Sequence, residues 1–495
     1  MKNPQRDWAQ EWLKEPKSNY INGQWVKGQG KRIESINPAT NRVIGSIISA
    51  GETDVNEAVE AARAAFVCDT WKKMNRKERS MKLRQIARLV RDHQDELATL
   101  ETLDNGKLYT ESYMDDVQEV ADLFDYYAGW TDKFYGEVNP VSGDFLSYTS
   151  REPVGVCGQI VPWNFPLDMA AWKMAPALAM GNTVVIKPSS ITSFSLIRFF
   201  EIVNESSILP PGVLNLIVGP GSVGSLIARH MKVDKLAFTG STAVGRKLVH
   251  DTADSNLKTI SLELGGKSPN IIFEDAPDMN WAIERSYQAI FTHKGEKCSE
   301  PTRLLVQRSI YQKVLDGLLA QYKNWRVGDP FEANSNQGAQ VSKSHFQSIM
   351  DYIDIGKNEG GKILCGGTRN TEGENAEGFF INPTIFYDCH NQMRISQEEI
   401  FGPVLTVIPF DTEKEAIEIA NDSPYGLAAG FWTGDIGRSQ RVANALQAGQ
   451  IFINKYGCYD LASPFGGYKE SGWGRECAIH SLDLYTKPKA IWYAY

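Results

Sequence analysis

Hydrophobic positions change rhythm along this chain. In the front third they recur with helical spacing. Residues 53–66 place Val55, Val59, Ala62 and Phe66 on one face, with Thr53 as the expected cap. The helical pattern continues over 76–105 and 109–130. From 154 onward, short apolar runs alternate with helical stretches. Val154–Val161, Thr183–Ile186, Val213–Val218, Leu236–Phe238 and Ile260–Leu262 read as strands. Nearly continuous apolar strands set between helices predict a parallel sheet covered on both faces, the doubly wound α/β type. A second α/β block follows. Its strands are read at Leu304–Val306, Leu405–Phe410, Leu427–Trp432 and Gln450–Asn454, with helices near 310–325, 344–358, 412–421 and 435–447. Asp144–Glu152 and Lys489–Tyr495 alternate like half-exposed strands and belong to neither block. Strands of that kind often pair with another subunit.

Composition adds little to that picture but narrows the function classes. The 495 residues suit two or three domains. Hydrophobic residues make up 42% and charged residues 23%, and the net charge is -8, which gives no reason to expect nucleic acid or an anionic membrane as partner. The first residues have no apolar core and no small-residue cleavage site, and no window approaches the length of a spanning helix. A cytoplasmic location is the expectation. The seven cysteines are scattered without CxxC or zinc spacing, so reduced thiols and no metal site are expected.

Five segments carry candidate chemistry. Gly219-Pro-Gly-Ser-Val-Gly224 follows a strand and opens a helix, which suits either a dinucleotide phosphate or a tight structural turn. Phe238-Thr-Gly-Ser-Thr-Ala-Val-Gly245 repeats that placement, and Ser241 either caps the helix or bonds a pyrophosphate. Glu263 sits within an apolar strand before two glycines. Burial would raise its pKa, as a general base near neutral pH requires; the other reading is a Glu that holds a backbone amide. Cys298 lies between a predicted helix and a strand among polar residues, and Lys297 beside it would favour a thiolate. Asn164, fixed between Pro162 and Pro166, is either an oxyanion donor or a turn residue.

The segments PWNFP, KPSS, FTGST, LELGGKSPN, the cysteine loop, EEIFGP and PFGGYKESGWGRE occur in this order. With them the chain resembles the NAD(P)-dependent aldehyde dehydrogenase superfamily from about Tyr20 onward. The resemblance implies a Rossmann-like cofactor domain (1–130 and 154–263), a second α/β catalytic domain (264–465) and a small β oligomerisation arm (131–153 and 466–495). It implies homodimers or homotetramers. Cys298 falls at the position of the nucleophile, Asn164 and the Cys298 N–H at the oxyanion site, and Glu263 at the general base, with Lys173 and Glu476 behind it as a proton relay. Trp163 and Lys187 match positions near the adenosine half of the cofactor, Ser241 a pyrophosphate contact, Glu399 a ligand of the nicotinamide ribose, and Phe401 a neighbour of the ring. The substrate tunnel would be lined by Phe165, Asp168, Met169, Trp172, Lys297, Ser299, Tyr456 and Phe465.

Several positions depart from the family pattern. NAD-preferring relatives often carry Glu where this chain has Ser190; a carboxylate repels a 2'-phosphate and a serine does not, so the expected cofactor is NADP or NAD, with NADP either tolerated or preferred. His293 and Glu296 replace residues that are often Asn and Gln, with Glu296 opposing Lys297 electrostatically. Cys477-Ala478 stands where a glycine is often found. The aromatic tunnel fits apolar or aromatic aldehydes, while Asp168 either attracts a cationic aldehyde or pairs with a lysine at the mouth. Glu263 argues for hydrolysis of a thioester over its transfer to coenzyme A. The presence of Cys298, Asn164 and Glu263 together argues against a non-catalytic binding protein.

Overall fold

The apolar runs become the spine of the molecule. The computed structural model describes residues 5–495. Five strands, β1 (Val156–Ile160), β2 (Thr183–Lys187), β3 (Leu214–Leu216), β4 (Lys235–Thr239) and β5 (Thr259–Glu263), lie parallel in the spatial order β3-β2-β1-β4-β5. Every residue of β1 to β4 is buried, which is why they read as unbroken apolar runs rather than as alternating ones. Asn19–Ile21 joins the β3 edge and Gly472–Trp473 joins the β5 edge, both antiparallel. Chain order reverses between β3 and β4, so a crevice opens at the carboxyl ends of β1 and β4, where doubly wound sheets bind ligands.

The second sheet contains β6 (Pro269–Ile272), β7 (Arg303–Gln307), β8 (Thr384–Tyr387), β9 (Val404–Phe410), β10 (Ala428–Trp432) and β11 (Gln450–Ile453). These run parallel in the order β8-β9-β7-β6-β10-β11, and Lys362–Cys365 adds an antiparallel edge beside β8. The two stray segments pair with each other: Phe145–Pro153 and Thr486–Ala494 match residue for residue, and Val138–Asn139 completes a three-stranded sheet. Within the segment 466–495, Gly472–Trp473 belongs to the first sheet, and Tyr468–Lys469 pairs with Tyr425–Gly426.

Local differences from the pattern have physical reasons. The first long helix, Glu52–Val67, is capped at Gly51, whose N–H is held by the Asp54 carboxylate at 2.7 Å, so Thr53 sits inside the first turn. The stretch 76–105 breaks at His93 into Arg76–Asp92 and Gln94–Asn105. The next helix passes through a π-helical turn, Ser112–Val117, before Gln118–Ala128. Such turns re-aim side chains and are frequent at functional sites.

Candidate active site

Three strand ends and one loop converge. After β1 the chain runs through Val161-Pro-Trp-Asn-Phe165, and Pro166 opens the helix Pro166–Ala179 at its first position, where its missing N–H costs nothing. β4 ends at Thr239-Gly-Ser241. Ser241 caps the helix Thr242–Ala253, its hydroxyl accepting the Val244 N–H at 3.4 Å. β5 ends at Glu263, whose carbonyl accepts the Gly240 N–H at 3.0 Å. Cys298 follows the turn Thr292–Gly295, where His293 and Lys294 both take left-handed backbone angles. A cavity of about 1250 Å³ gathers these ends. Among the proposed cofactor and substrate residues, Trp163, Ser241, Glu399, Phe401, Phe165, Asp168, Met169, Trp172, Lys297, Ser299 and Phe465 line it, together with Cys298, Glu263, Asn164 and Glu476.

Its inner end buries a carboxyl group. Both Glu263 oxygens are buried without a hydrogen-bond partner, and burial together with the neighbouring Glu476 holds this carboxyl well above its ordinary range, as its apolar strand foretold. Burial also pushes the Cys298 thiol up to about 12, with Glu263 and Glu399 adding to the rise and Lys297 opposing it. Lys173 lies behind the cavity wall. Its ammonium donates to the Thr239 hydroxyl at 2.7 Å and to Glu476 at 2.5 Å. Asn164 donates one Nδ2–H to the Glu296 carbonyl at 2.9 Å, which fixes the amide beside the cysteine loop. The Glu399 carboxylate accepts the Gly266 N–H at 2.8 Å, and a Cβ at Gly265 would sit 2.3 Å from the other carboxylate oxygen.

The mouth is acidic. Asp115, Asp116, Glu119, Asp122, Asp125, Asp168 and Asp460 line the cavity, against Lys297 as its one lysine or arginine among the described residues. Asp168 makes no ion pair, and one of its oxygens is buried unpartnered; burial, then the carboxylates Glu119, Asp116 and Glu101, raise its pKa well above the usual range. The buried lysine nearby, Lys107, is taken by Asp116 and Glu101, so pairing with a lysine is not what holds Asp168. Burial pushes Glu119 up to about 7 and Asp116 up to about 8. Aromatic walls frame these groups: Trp172 meets Phe465 edge to face at 5.2 Å and donates its indole N–H to Glu119.

Other expected site residues stand apart from this cavity. Lys187 is buried with its ammonium on the Pro188 carbonyl, its pKa lowered by burial to about 8, and Ser190 is half-buried just beyond it. Gly219 has a positive φ at the turn before the helix Gly221–Arg229. A Cβ at Gly224 would lie 3.2 Å from Ile160 and 3.7 Å from the Lys187 side chain, so Gly224 and Lys187 are neighbours at the ends of β1 and β2. Tyr456 is a correction: it does not line the cavity but sits behind it, donating its hydroxyl to the Ser299 carbonyl at 2.8 Å. Tyr459 takes the cavity-facing place, its hydroxyl 2.6 Å from Ser299 Oγ and its ring 5.3 Å from the Lys297 ammonium. Glu296 is a second correction. It pairs with Lys294 at 2.8 Å rather than opposing Lys297, whose charge is held despite burial by Glu300, Tyr459, Cys298 and Asp115. Cys477 and Ala478 keep the left-handed backbone a glycine would favour, with φ of 59 and 50 degrees. Hydrogen bonds from Tyr127 to the Ala478 carbonyl and from the Ala478 N–H to Leu461 hold it there.

The family model for the aldehyde dehydrogenase family matches residues 25–491. The chain belongs to the aldehyde dehydrogenase family. It is 45% identical to the human mitochondrial aldehyde dehydrogenase over 475 residues, covering 95% of this chain and 91% of that one. Among solved structures, the NAD+ complex of the aldehyde dehydrogenase from Bacillus cereus superposes with a TM-score of 0.95 at 43% identity, covering 100% of this chain and 99% of that one. A point variant of betaine aldehyde dehydrogenase from Staphylococcus aureus, in complex with NAD+, superposes with a TM-score of 0.94 at 42% identity over 97% of each chain. This aldehyde dehydrogenase therefore oxidises aldehydes to carboxylic acids on the aldehyde dehydrogenase fold. Sequence reasoning missed His345, Tyr459 and the π-turn carboxylates of its cavity. Only Asp115-Asp116 followed by Glu119, on a stretch already read as helical, could have signalled an acidic face there.

Proposed function

We propose that this aldehyde dehydrogenase acts on aldehydes that carry a positive charge, through a thioester on Cys298, with NAD(P)+ as hydride acceptor. The acidic mouth supports the substrate class: carboxylates crowd the walls, and Asp168 lacks any partner that would neutralise it. An ammonium or quaternary ammonium group supplies that charge, and the faces of Trp172 and Phe465 suit it too. The relative from Staphylococcus aureus, named for betaine aldehyde, favours the same reading.

The cofactor residues fit their group chemically. The N-terminus of the helix Thr242–Ala253 with Ser241 would hold the diphosphate, because unpaired N–H groups and the helix dipole favour an anion. Glu399 would hold the nicotinamide ribose, and Trp163, Lys187, Ser190, Gly219 and Gly224 the adenosine half. Bound there, NAD(P)+ supplies the hydride acceptor that turns the Cys298 adduct into a thioester. The Cys298 sulfur, as thiolate, adds to the aldehyde carbonyl. The free Asn164 N–H and the Cys298 backbone N–H hold the alkoxide oxygen. Glu263 then takes a proton from water as that water attacks the thioester carbonyl, and the cysteine thiolate leaves. Lys173 and Glu476 keep a charge-balanced path behind Glu263 for the proton.

We further propose that NADP+ is accepted, since Ser190 presents no carboxylate to a 2'-phosphate, and that the exposed Thr486–Ala494 edge of the three-stranded sheet joins a second copy of the chain. The test of the substrate reading is steady-state kinetics with a trimethylammonium aldehyde and a neutral tert-butyl aldehyde of the same length. A higher kcat/KM for the cation supports it. Preference for the neutral or for an aromatic aldehyde overturns it in favour of an apolar tunnel.

A further inference from the structure

The loop that carries Cys298 and the loop that carries Asn164 are tied together by one buried network. Lys294 and Glu296 pair at 2.8 Å, each side chain 1% exposed. The Lys294 ammonium also donates to the Asn105 carbonyl and side-chain oxygen, both at 2.8 Å. Asn105 in turn donates its Nδ2–H to the Trp163 carbonyl at 2.7 Å, fixing the chain one residue before Asn164. The ring closes where Asn164 donates to the Glu296 carbonyl. Glu296 Oε1 accepts the Val341 N–H at 3.1 Å, which anchors its carboxylate from the far side.

One residue links this ring to the opposite wall. His345 lines the cavity, and its Nε2–H donates to the Phe401 carbonyl at 2.7 Å. The same nitrogen lies 3.6 Å from Glu296 Oε1. Its ring packs on Trp163 with centroids 4.9 Å apart, and Trp163 packs on Phe401 at 5.1 Å. Phe401 itself is held at a left-handed φ of 59 degrees, a conformation that a bulky residue keeps only when its surroundings impose it. The hydrogen bond from His345 is one of those constraints.

We propose that His345 is a positioning residue that couples the cofactor end of the cavity to the cysteine loop. It rests on the reading of Phe401 as a neighbour of the nicotinamide. A shift of Phe401 moves the imidazole that faces Glu296. Glu296 carries that shift to Asn164 through its carbonyl and to Cys298 two residues on. Two packed arrangements of such a ring, biased from one end, are what coupling between sites requires.

The test is the rate at which iodoacetamide alkylates Cys298, followed by peptide mass spectrometry, with and without NAD+. Calorimetry of NAD+ binding is run in parallel. In the unaltered protein NAD+ changes the alkylation rate by about fivefold or more. In His345→Ala the rate without NAD+ stays near that of the unaltered protein and the response to NAD+ is lost. In His345→Gln, whose amide can still donate to the Phe401 carbonyl, the response is kept. An equal response in His345→Ala and in the unaltered protein overturns the coupling, as does bound NAD+ with no effect on alkylation. Absence of NAD+ binding overturns the cofactor reading itself, and the coupling with it.

Discussion

The inner end of the cavity and its mouth both bury carboxyl groups, yet they balance them differently. At the inner end Glu476 is paired with Lys173, and the one carboxyl left without a hydrogen bond, Glu263, shares the cavity wall with Cys298. At the mouth Lys107 is consumed by Asp116 and Glu101, and Asp168 and Glu119 are left with neighbours of their own sign. Burial raises carboxyl pKa values at both ends. What differs is the remedy we propose: a proton at the inner end, and a charge brought in by the substrate at the mouth. At both ends the nearest lysine answers another carboxyl; the inner end leaves one carboxyl over, which a single proton neutralises, and the mouth leaves a cluster of them, which suits an added cation.

Substitutions can separate the two ends. The largest effect is expected from Cys298→Ala, which removes turnover to below detection in a reduced-cofactor absorbance assay while calorimetry still reports cofactor binding. Glu263→Gln should lower kcat by roughly 10²–10⁴-fold but leave the first-turnover burst of reduced cofactor in stopped flow; loss of the burst would place Glu263 before hydride transfer. Asp168→Asn should raise KM for the cationic aldehyde by about 30-fold or more, as for truncating one partner of a buried charge pair, with the neutral isostere nearly unaffected. Equal losses for both substrates would make the mouth structural rather than selective.

The mouth also predicts a pH dependence. Burial, first of all, holds Glu119 near about 7 and Asp116 near about 8, so both keep their protons at acid pH. A cation binds the ionised forms better. KM for a cationic aldehyde should therefore fall as pH rises through that range, and flatten above it, while KM for the neutral isostere stays level. The smallest expected effect is at Ser190→Glu, which should move the ratio of kcat/KM for NAD over NADP upward by about tenfold, the worth of one unfavourable charge contact. An unchanged ratio would remove Ser190 from cofactor choice.

Much of this was legible before any coordinates. The strands β1 to β4, buried on both faces, announce themselves as apolar runs, and Glu263 stands out because a carboxylate ends the apolar run of β5. Strands β6 and β8 went unread because Pro269 opens the one and Pro383 immediately precedes the other, and a proline there reads as a turn. The π-helical turn Ser112–Val117 has no periodic signature, so the carboxylates it aims at the cavity read only as a helical surface. Nor could spacing reveal that Glu296 answers Lys294 rather than Lys297. In this turn the backbone reverses hand, and that decides which neighbour a side chain meets. Tyr456 and Tyr459 show the same limit: three residues apart in one loop, one is buried on the Ser299 carbonyl and the other lines the cavity.

The bond between Lys173 and Glu476 spans 303 positions of the chain. At a synthesis rate of about 5–20 residues per second, the lysine waits roughly 15–60 s on the ribosome for its counter-ion. Through that interval the first sheet also lacks Gly472–Trp473 beside β5, the strand that ends in Glu263. Until those last residues emerge, the lysine stands without its counter-ion and the outer edge of that strand stays unpaired.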